Sequence, residues 1–141
     1  MCGIIYSAGG KMKWSIKELY HKQNIPFEFE IDLYETLCDK VSILDISLVI
    51  VSGTYSHINY NKFKFILNIY CSLVLPDSIT LEPIDYVFDQ DFEEIFDIKD
   101  SNDEVINLIQ NDIVDLTKVV EEEIRVSLPL RITNEEGGSN G

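Results

Sequence analysis

Phe63-Lys64-Phe65-Ile66-Leu67-Asn68-Ile69-Tyr70-Cys71-Ser72-Leu73-Val74-Leu75 reads as one long strand, and the rest of the chain is read outward from it. Phe65, Leu67, Ile69, Cys71, Leu73 and Leu75 alternate with less apolar positions, the period of two that puts one row of side chains into a core. Leu48 to Ser56 is a second β-branched and aromatic run. Asn59-Tyr60-Asn61 lies between the two runs and supplies turn residues, so the pair is predicted to form an antiparallel hairpin. Upstream, Pro26 to Leu33 alternates Phe27, Phe29, Ile31 and Leu33 with Glu28, Glu30 and Asp32, a half-buried strand with an acidic outer face. Downstream, Thr80 to Phe88 aligns Ile84, Tyr86 and Phe88 and runs on through the acid-rich Asp89 to Asp97, with Pro83 marking an edge or a bulge. Val105 to Ile109 fits a short strand or a helical turn, and the flanking Asn and Asp favour the strand.

Two helices flank this β region. Ser15-Ile16-Lys17-Glu18 is a capping box, in which the hydroxyl accepts from the Glu18 N–H and the carboxylate accepts from the Ser15 N–H. Trp14 and Leu19 occupy the two positions of a hydrophobic staple around that start. Asp115 is placed to cap a second helix whose Leu116, Val119, Val120 and Ile124 share a buried side. Pro129 limits that helix, and Leu128 to Ile132 is expected to return as a strand. The fold class is therefore α+β: a predominantly antiparallel β-sheet, as a small barrel or sandwich, with an N-terminal and a C-terminal helix. No internal repeat is visible.

At 141 residues the chain suits a single domain, long enough to bury roughly two thirds of its unfolded surface without metal or disulfide support. The three cysteines, Cys2, Cys38 and Cys71, are odd in number and widely spaced, the pattern of reduced thiols and a cytoplasmic protein. The apolar start is too short for a signal peptide, and no run of apolar residues is long enough to span a bilayer. The charge is segregated. Up to Ile25 there are four lysines and one acid, a net +3, while the remainder holds seven bases and 24 acids, a net −17. An overall −14 opposes broad contact with nucleic-acid phosphates and suits basic partners.

Nucleophilic catalysis normally needs a His beside a Ser or Cys, and only His21 and His57 are present. Cys71 sits on an apolar strand face, where a small buried hydrophobe is the expected role. The acidic stretch lacks the spacing of a Ca²⁺ loop, and no glycine-rich phosphate loop occurs. Met1-Cys2-Gly3-Ile4-Ile5 resembles the start of glutamine amidotransferases, whose N-terminal Cys is the nucleophile, and gives the alternative of a small enzyme acting through Cys2. Two binding surfaces are expected instead of a catalytic site. Lys13, Lys17, His21 and Lys22 form the basic one, suited to RNA phosphate; Asp89, Asp91, Glu93, Glu94 and Asp97 form the acidic one, suited to a basic protein.

Met12-Lys13-Trp14-Ser15-Ile16, Pro26-Phe27-Glu28-Phe29, Leu44-Asp45-Ile46-Ser47-Leu48-Val49-Ile50-Val51-Ser52-Gly53 and Leu75-Pro76-Asp77-Ser78-Ile79-Thr80-Leu81-Glu82-Pro83-Ile84 occur in this order. Ile113-Val114-Asp115-Leu116 and Glu122-Glu123-Ile124-Arg125-Val126-Ser127-Leu128-Pro129-Leu130 follow. In order and spacing these blocks resemble the YceD family, the large ribosomal RNA subunit accumulation proteins of bacteria and plastids. The resemblance implies a YceD-like domain over residues 12–132, a flexible upstream extension over 1–11 and a disordered tail over 133–141. It also implies a non-enzymatic role in ribosome biogenesis, through a basic ribosomal protein, an assembly factor or ribosomal RNA. Many YceD proteins carry a Cys directly after the central Leu-Pro and a cysteine-rich end, a set that looks like a zinc site. Here Asp77 follows Pro76 and the end has no cysteine, so the resemblance is to a metal-free branch without cofactor.

Overall fold

A computed structural model describes residues 5–8, 12–21, 25–39, 42–59, 62–98, 106–109 and 111–129. The long alternating run is the strand β6 (Lys62–Pro76), flanked by β5 (Val49–Asn59) and β7 (Pro83–Asp97). Both neighbours are antiparallel to it, and β6 and β7 stay in unbroken register from Lys62 opposite Asp97 to Pro76 opposite Pro83. Phe63, Phe65, Leu67, Ile69, Cys71, Leu73 and Leu75 are all buried, as the period of two requires.

The sheet extends past β5 to β3 (Phe27–Ile31), antiparallel to it, and to β1 (Ile5–Ala8), parallel to β3. β4 (Asp45–Ile46) pairs with the far part of β6, and β8 (Asn107–Leu108) runs parallel to the end of β7. Val105 lies outside the described residues, and the segment at β8 is the short strand that its Asn favours. The order β1-β3-β5-β6-β7-β8 does not return on itself, so the sheet is no closed barrel. The upstream segment, expected to have no fold, contributes β1: β3 would otherwise present an unpaired row of backbone groups, and Ile5–Ala8 pairs with it.

One face of this sheet is covered. A two-stranded antiparallel sheet, β2 (Lys13–Ser15) with β9 (Ile113–Asp115), packs on it through Trp14, whose ring lies 5.2 Å from Phe27, 5.7 Å from Phe29, 6.2 Å from Tyr55 and 5.6 Å from Phe65. The helices α1 (Ile16–His21), α2 (Tyr34–Leu37) and α3 (Leu116–Ser127) complete that layer with Leu19, Leu37, Leu116, Val120 and Ile124 buried. The capping box forms: the Ser15 N–H donates to Glu18 Oε1 at 3.0 Å and the Glu18 N–H to Ser15 Oγ at 3.1 Å. Asp115 Oδ1 accepts from the Thr117 N–H at 2.9 Å, the expected cap of α3. The two helix starts also complete each other, because the Ile16 N–H donates to the Asp112 carbonyl at 3.0 Å and the Leu116 N–H to that of Met12 at 2.9 Å.

The strand expected from Thr80 begins three residues later. Asp77 Oδ1 accepts from the N–H groups of Ile79 (2.7 Å) and Thr80 (3.0 Å), the Asp77 N–H donates to the Glu82 carbonyl at 2.8 Å, and Leu81 adopts φ 67°. This turn uses the backbone of 78–82 before pairing with β6 can begin. Residues 130–132, part of the expected last strand, lie outside the described residues.

Candidate functional site

The face of the sheet opposite Trp14 carries no layer among the described residues. It is mixed: Ile66 and Tyr70 stand exposed on the central strand β6 and Val87 among the acids of β7, while carboxylates occupy both flanks. Strand pairing aligns them in rows. Glu28, Ser52, Asn68 and Asp91 lie across the sheet in one row, and Glu30, Ile50, Tyr70 and Asp89 in the next. A shallow groove of about 400 Å³ follows the first row, with Gly53 among the residues that line it.

Alternation along β7 divides the acids expected on this face. Asp85, Asp89, Asp91 and Glu93 point outward with Val87. The Asn68 amide donates to Asp89 Oδ1 and to Asp91 Oδ1, each at 2.9 Å, so one neutral group holds two carboxylates side by side. Glu93 pairs with Lys64 at 3.3 Å. Glu94 and Asp97 do not belong to the exposed set, since each is only 8% exposed. Asp97 lies opposite Lys62, with 4.0 Å between carboxylate and ammonium.

Glu94 points to the covered face, where Asn107 Nδ2 donates to its Oε1 at 3.1 Å and to the Ile95 carbonyl at 3.0 Å. Burial first, and then a hydrogen bond with Glu123 of α3 together with the negative charge of Glu123 and Glu122, push this carboxyl up to about 8. The Asn107 donor acts in the opposite direction without reversing the shift. At neutral pH the group is a neutral acid bridging β7 and α3 and contributes no charge to a basic partner.

The basic residues are more loosely arranged. Lys13 lies on β2 and pairs with Asp115 at 3.7 Å. Lys17 and His21 are exposed and share one side of α1, four residues apart. Lys22 lies outside the described residues. Trp14 is 7% exposed and belongs to the core, so it offers no stacking platform to a base.

Groups suited to covalent chemistry are held in apolar settings. Burial pushes the Cys71 thiol up to about 11, so it stays protonated at neutral pH. Cys38 donates its S–H to the Leu44 carbonyl at 3.1 Å. His57 lies edge-on between the rings of Tyr20 and Phe63, each 4.8 Å away, and its buried Nε2 has no hydrogen-bond partner among the described residues. Tyr55 is pushed up to about 12 by burial and by the negative charge of Glu18. Cys2 lies outside the described residues. Replacing Cys71 by Ser is expected to cost about 1–3 kcal/mol, because a hydroxyl there meets apolar neighbours and no evident partner. Urea denaturation measures the loss; a variant with unchanged stability would show that the site tolerates a polar atom.

The Bacillus subtilis "Uncharacterized protein YlbN" is 30% identical over 135 residues, which cover 92% of this chain and 78% of that protein. The chain belongs to the YlbN family. No family model matches the chain, and no solved structure matches it.

In this YlbN-family chain the residue after Leu75-Pro76 has a defined task. Asp77 is buried and its Oδ1 accepts two backbone N–H groups, which stabilises the turn into β7. No group of three or more His, Cys, Asp or Glu stands together for a metal ion among the described residues, and no helix among them is long and apolar enough to cross a membrane. Since the Asp77 carboxylate is engaged with backbone donors and has no thiolate companions among the described residues, elemental analysis of the purified family member is expected to find no stoichiometric zinc. One zinc per chain retained through dialysis against a weak chelator would contradict this.

Proposed function

We propose that this protein is a YceD-like, non-enzymatic factor in the cytoplasm that supports accumulation of the large ribosomal subunit RNA by binding a basic ribosomal protein or assembly factor. The observation that carries the reading is the uncovered sheet face, with an apolar centre between Glu28 and Glu30 on one flank and Asp85, Asp89, Asp91 and Glu93 on the other. Such a face suits a basic protein: charge complementarity brings the partner in, and the exposed Ile66, Tyr70 and Val87 offer apolar contact once it arrives. The ordered YceD-like blocks supply the ribosomal context, and of this face they include Glu28 of β3 and Ile50 and Ser52 of β5. Contact with ribosomal RNA is assigned to the basic start, Lys13, Lys17, His21 and Lys22, because phosphate binding needs cations and the rest of the chain is acidic. The protonated, buried state of Cys71 and the aromatic enclosure of His57 favour a binding role over an enzymatic one.

The test uses two variants. Lys13, Lys17 and Lys22 changed together to Glu are expected to weaken RNA-dependent association with large-subunit particles. Asp89→Asn, Asp91→Asn and Glu93→Gln together are expected to weaken a salt-sensitive protein contact, with Glu94 and Asp97 left intact because they are buried. Sucrose gradients report the particles and their RNA. Normal profiles with both variants folded would overturn the ribosomal reading and leave an acidic interaction module of a different pathway.

A further inference from the structure

β7 is a long strand with an open side. Its register with β6 covers every residue from Pro83 to Asp97, but on its other side only Phe96 and Asp97 pair, with Asn107 and Leu108. From Ile84 to Ile95, no strand lies against that edge among the described residues. Strand edges of this length ordinarily invite another chain, and proteins that avoid it place charges there.

The two side-chain rows of β7 specify what such a chain would need. The outward row reads Asp85, Val87, Asp89, Asp91 and Glu93, all exposed. The inward row along the same edge includes the half-buried Tyr86, Gln90 and Phe92, with the ring of Phe92 stacked 6.3 Å from that of Phe88. A strand laid beside β7 brings alternate side chains to roughly 5 Å from the first row and the intervening ones over the second. A second copy of β7 would set carboxylates against carboxylates, an unfavourable pairing. Lys or Arg would instead meet Asp89 and Asp91, which share the neutral Asn68 amide, while apolar side chains would cover Tyr86 and Phe92.

We infer that the free edge of β7 takes an extended segment of the basic partner by strand addition, a segment in which Lys or Arg alternates with apolar residues. The inference rests on the reading of the acidic flank as a dock for a basic protein, and adds the backbone as the means of capture. Main-chain hydrogen bonds then supply affinity and the alternating side chains supply selectivity.

The probe is a blocked seven-residue peptide alternating Lys and Val, titrated into the isotopically labelled full chain. Its control has the same side chains and charge but is N-methylated at alternate residues, so that it cannot pair with an edge. The unmodified peptide is expected to slow hydrogen exchange at alternate amides between Ile84 and Ile95 and to bind at least tenfold more tightly than the N-methylated one. The Asp89→Asn, Asp91→Asn variant is expected to lose at least fivefold in affinity for the unmodified peptide at low salt. Equal affinity for the two peptides would overturn strand addition, leaving charge attraction alone. Protection mapped to Ile66 and Tyr70 in place of the edge would overturn it in favour of docking on the sheet face. The ribosomal reading fails separately: peptide capture on the edge, with normal large-subunit profiles in cells carrying the same variant, would remove the ribosomal role and leave the edge site standing.

Discussion

Gly53→Ala is expected to destabilise the protein by roughly 3–5 kcal/mol, at the extreme end for a single substitution. Gly53 lies in β5 opposite Leu67 of β6, between strands that are paired on both sides. A Cβ added there would run into the Ile66 carbonyl oxygen and stand 3.1 Å from the Leu67 Cα. Both are backbone atoms, so no rotamer change relieves the clash, and β5 and β6 must move apart at the centre of the sheet. Urea denaturation of Gly53→Ala beside Ser52→Ala, which alters the outer face alone, makes the comparison. Equal stability of the two would mean that the strands separate more easily than their register suggests.

The second large effect is a dependence on pH centred on Glu94. In the unfolded chain this carboxyl gives up its proton near 4.5, and in the folded chain it holds it until about 8. Across that window the folded state carries the extra proton, so stability falls as pH rises, by up to about 1.4 kcal/mol per pH unit, and levels off above about 8. Below about 4.5 both states are protonated and the contribution is fully present. Glu94→Gln keeps an oxygen for Asn107 and gains an N–H that donates to Glu123 whatever the pH. The variant is expected to lie within about 1 kcal/mol of the parent near pH 5 and to exceed it by about 2 kcal/mol or more near pH 8.5. Denaturant titrations of both proteins at pH 5, 7 and 8.5 give the difference, which isolates Glu94 from the general repulsion among the other acids. Parallel curves would show that Glu94 ionises in the folded state as an ordinary carboxylate.

The main strands were legible because their alternation continues long enough to define a face, as Phe27, Phe29 and Ile31 do in β3 and the row from Phe65 to Leu75 does in β6. The helix starts were legible because capping is local, as at Ser15 with Glu18 and at Asp115 with Thr117. The pairing of β2 with β9 was not. Each strand has three residues, too few for a period, and they meet across most of the chain. β1 escaped for a similar reason, since its pairing depends on the edge that β3 presents. On the site, reading Asp89 to Asp97 as one acidic stretch hid the alternation that continues through it. Counting by twos from Ile84 and Phe88 puts Glu94 on the buried side, so the signal was present in the sequence. Asp97 needed the register, which sets it opposite Lys62.

The reciprocal completion of the two helix starts has a consequence for synthesis. α1 takes a backbone acceptor from Asp112, α3 takes one from Met12, and Trp14 is paired with Val114. A growing chain that has emerged only as far as β7 possesses the whole β5-β6-β7 meander and the rings that Trp14 packs on, yet lacks the Asp112 carbonyl that starts its first helix and the Val114 strand that pairs with Trp14. Closing contact between Lys13 and Asp115 means ordering a very long loop in one event, the kind of non-local step that slows folding. Nascent chains halted before Asp112 should therefore remain protease-sensitive at Trp14 although their central hairpin has formed, and release of a few further residues should protect both ends together.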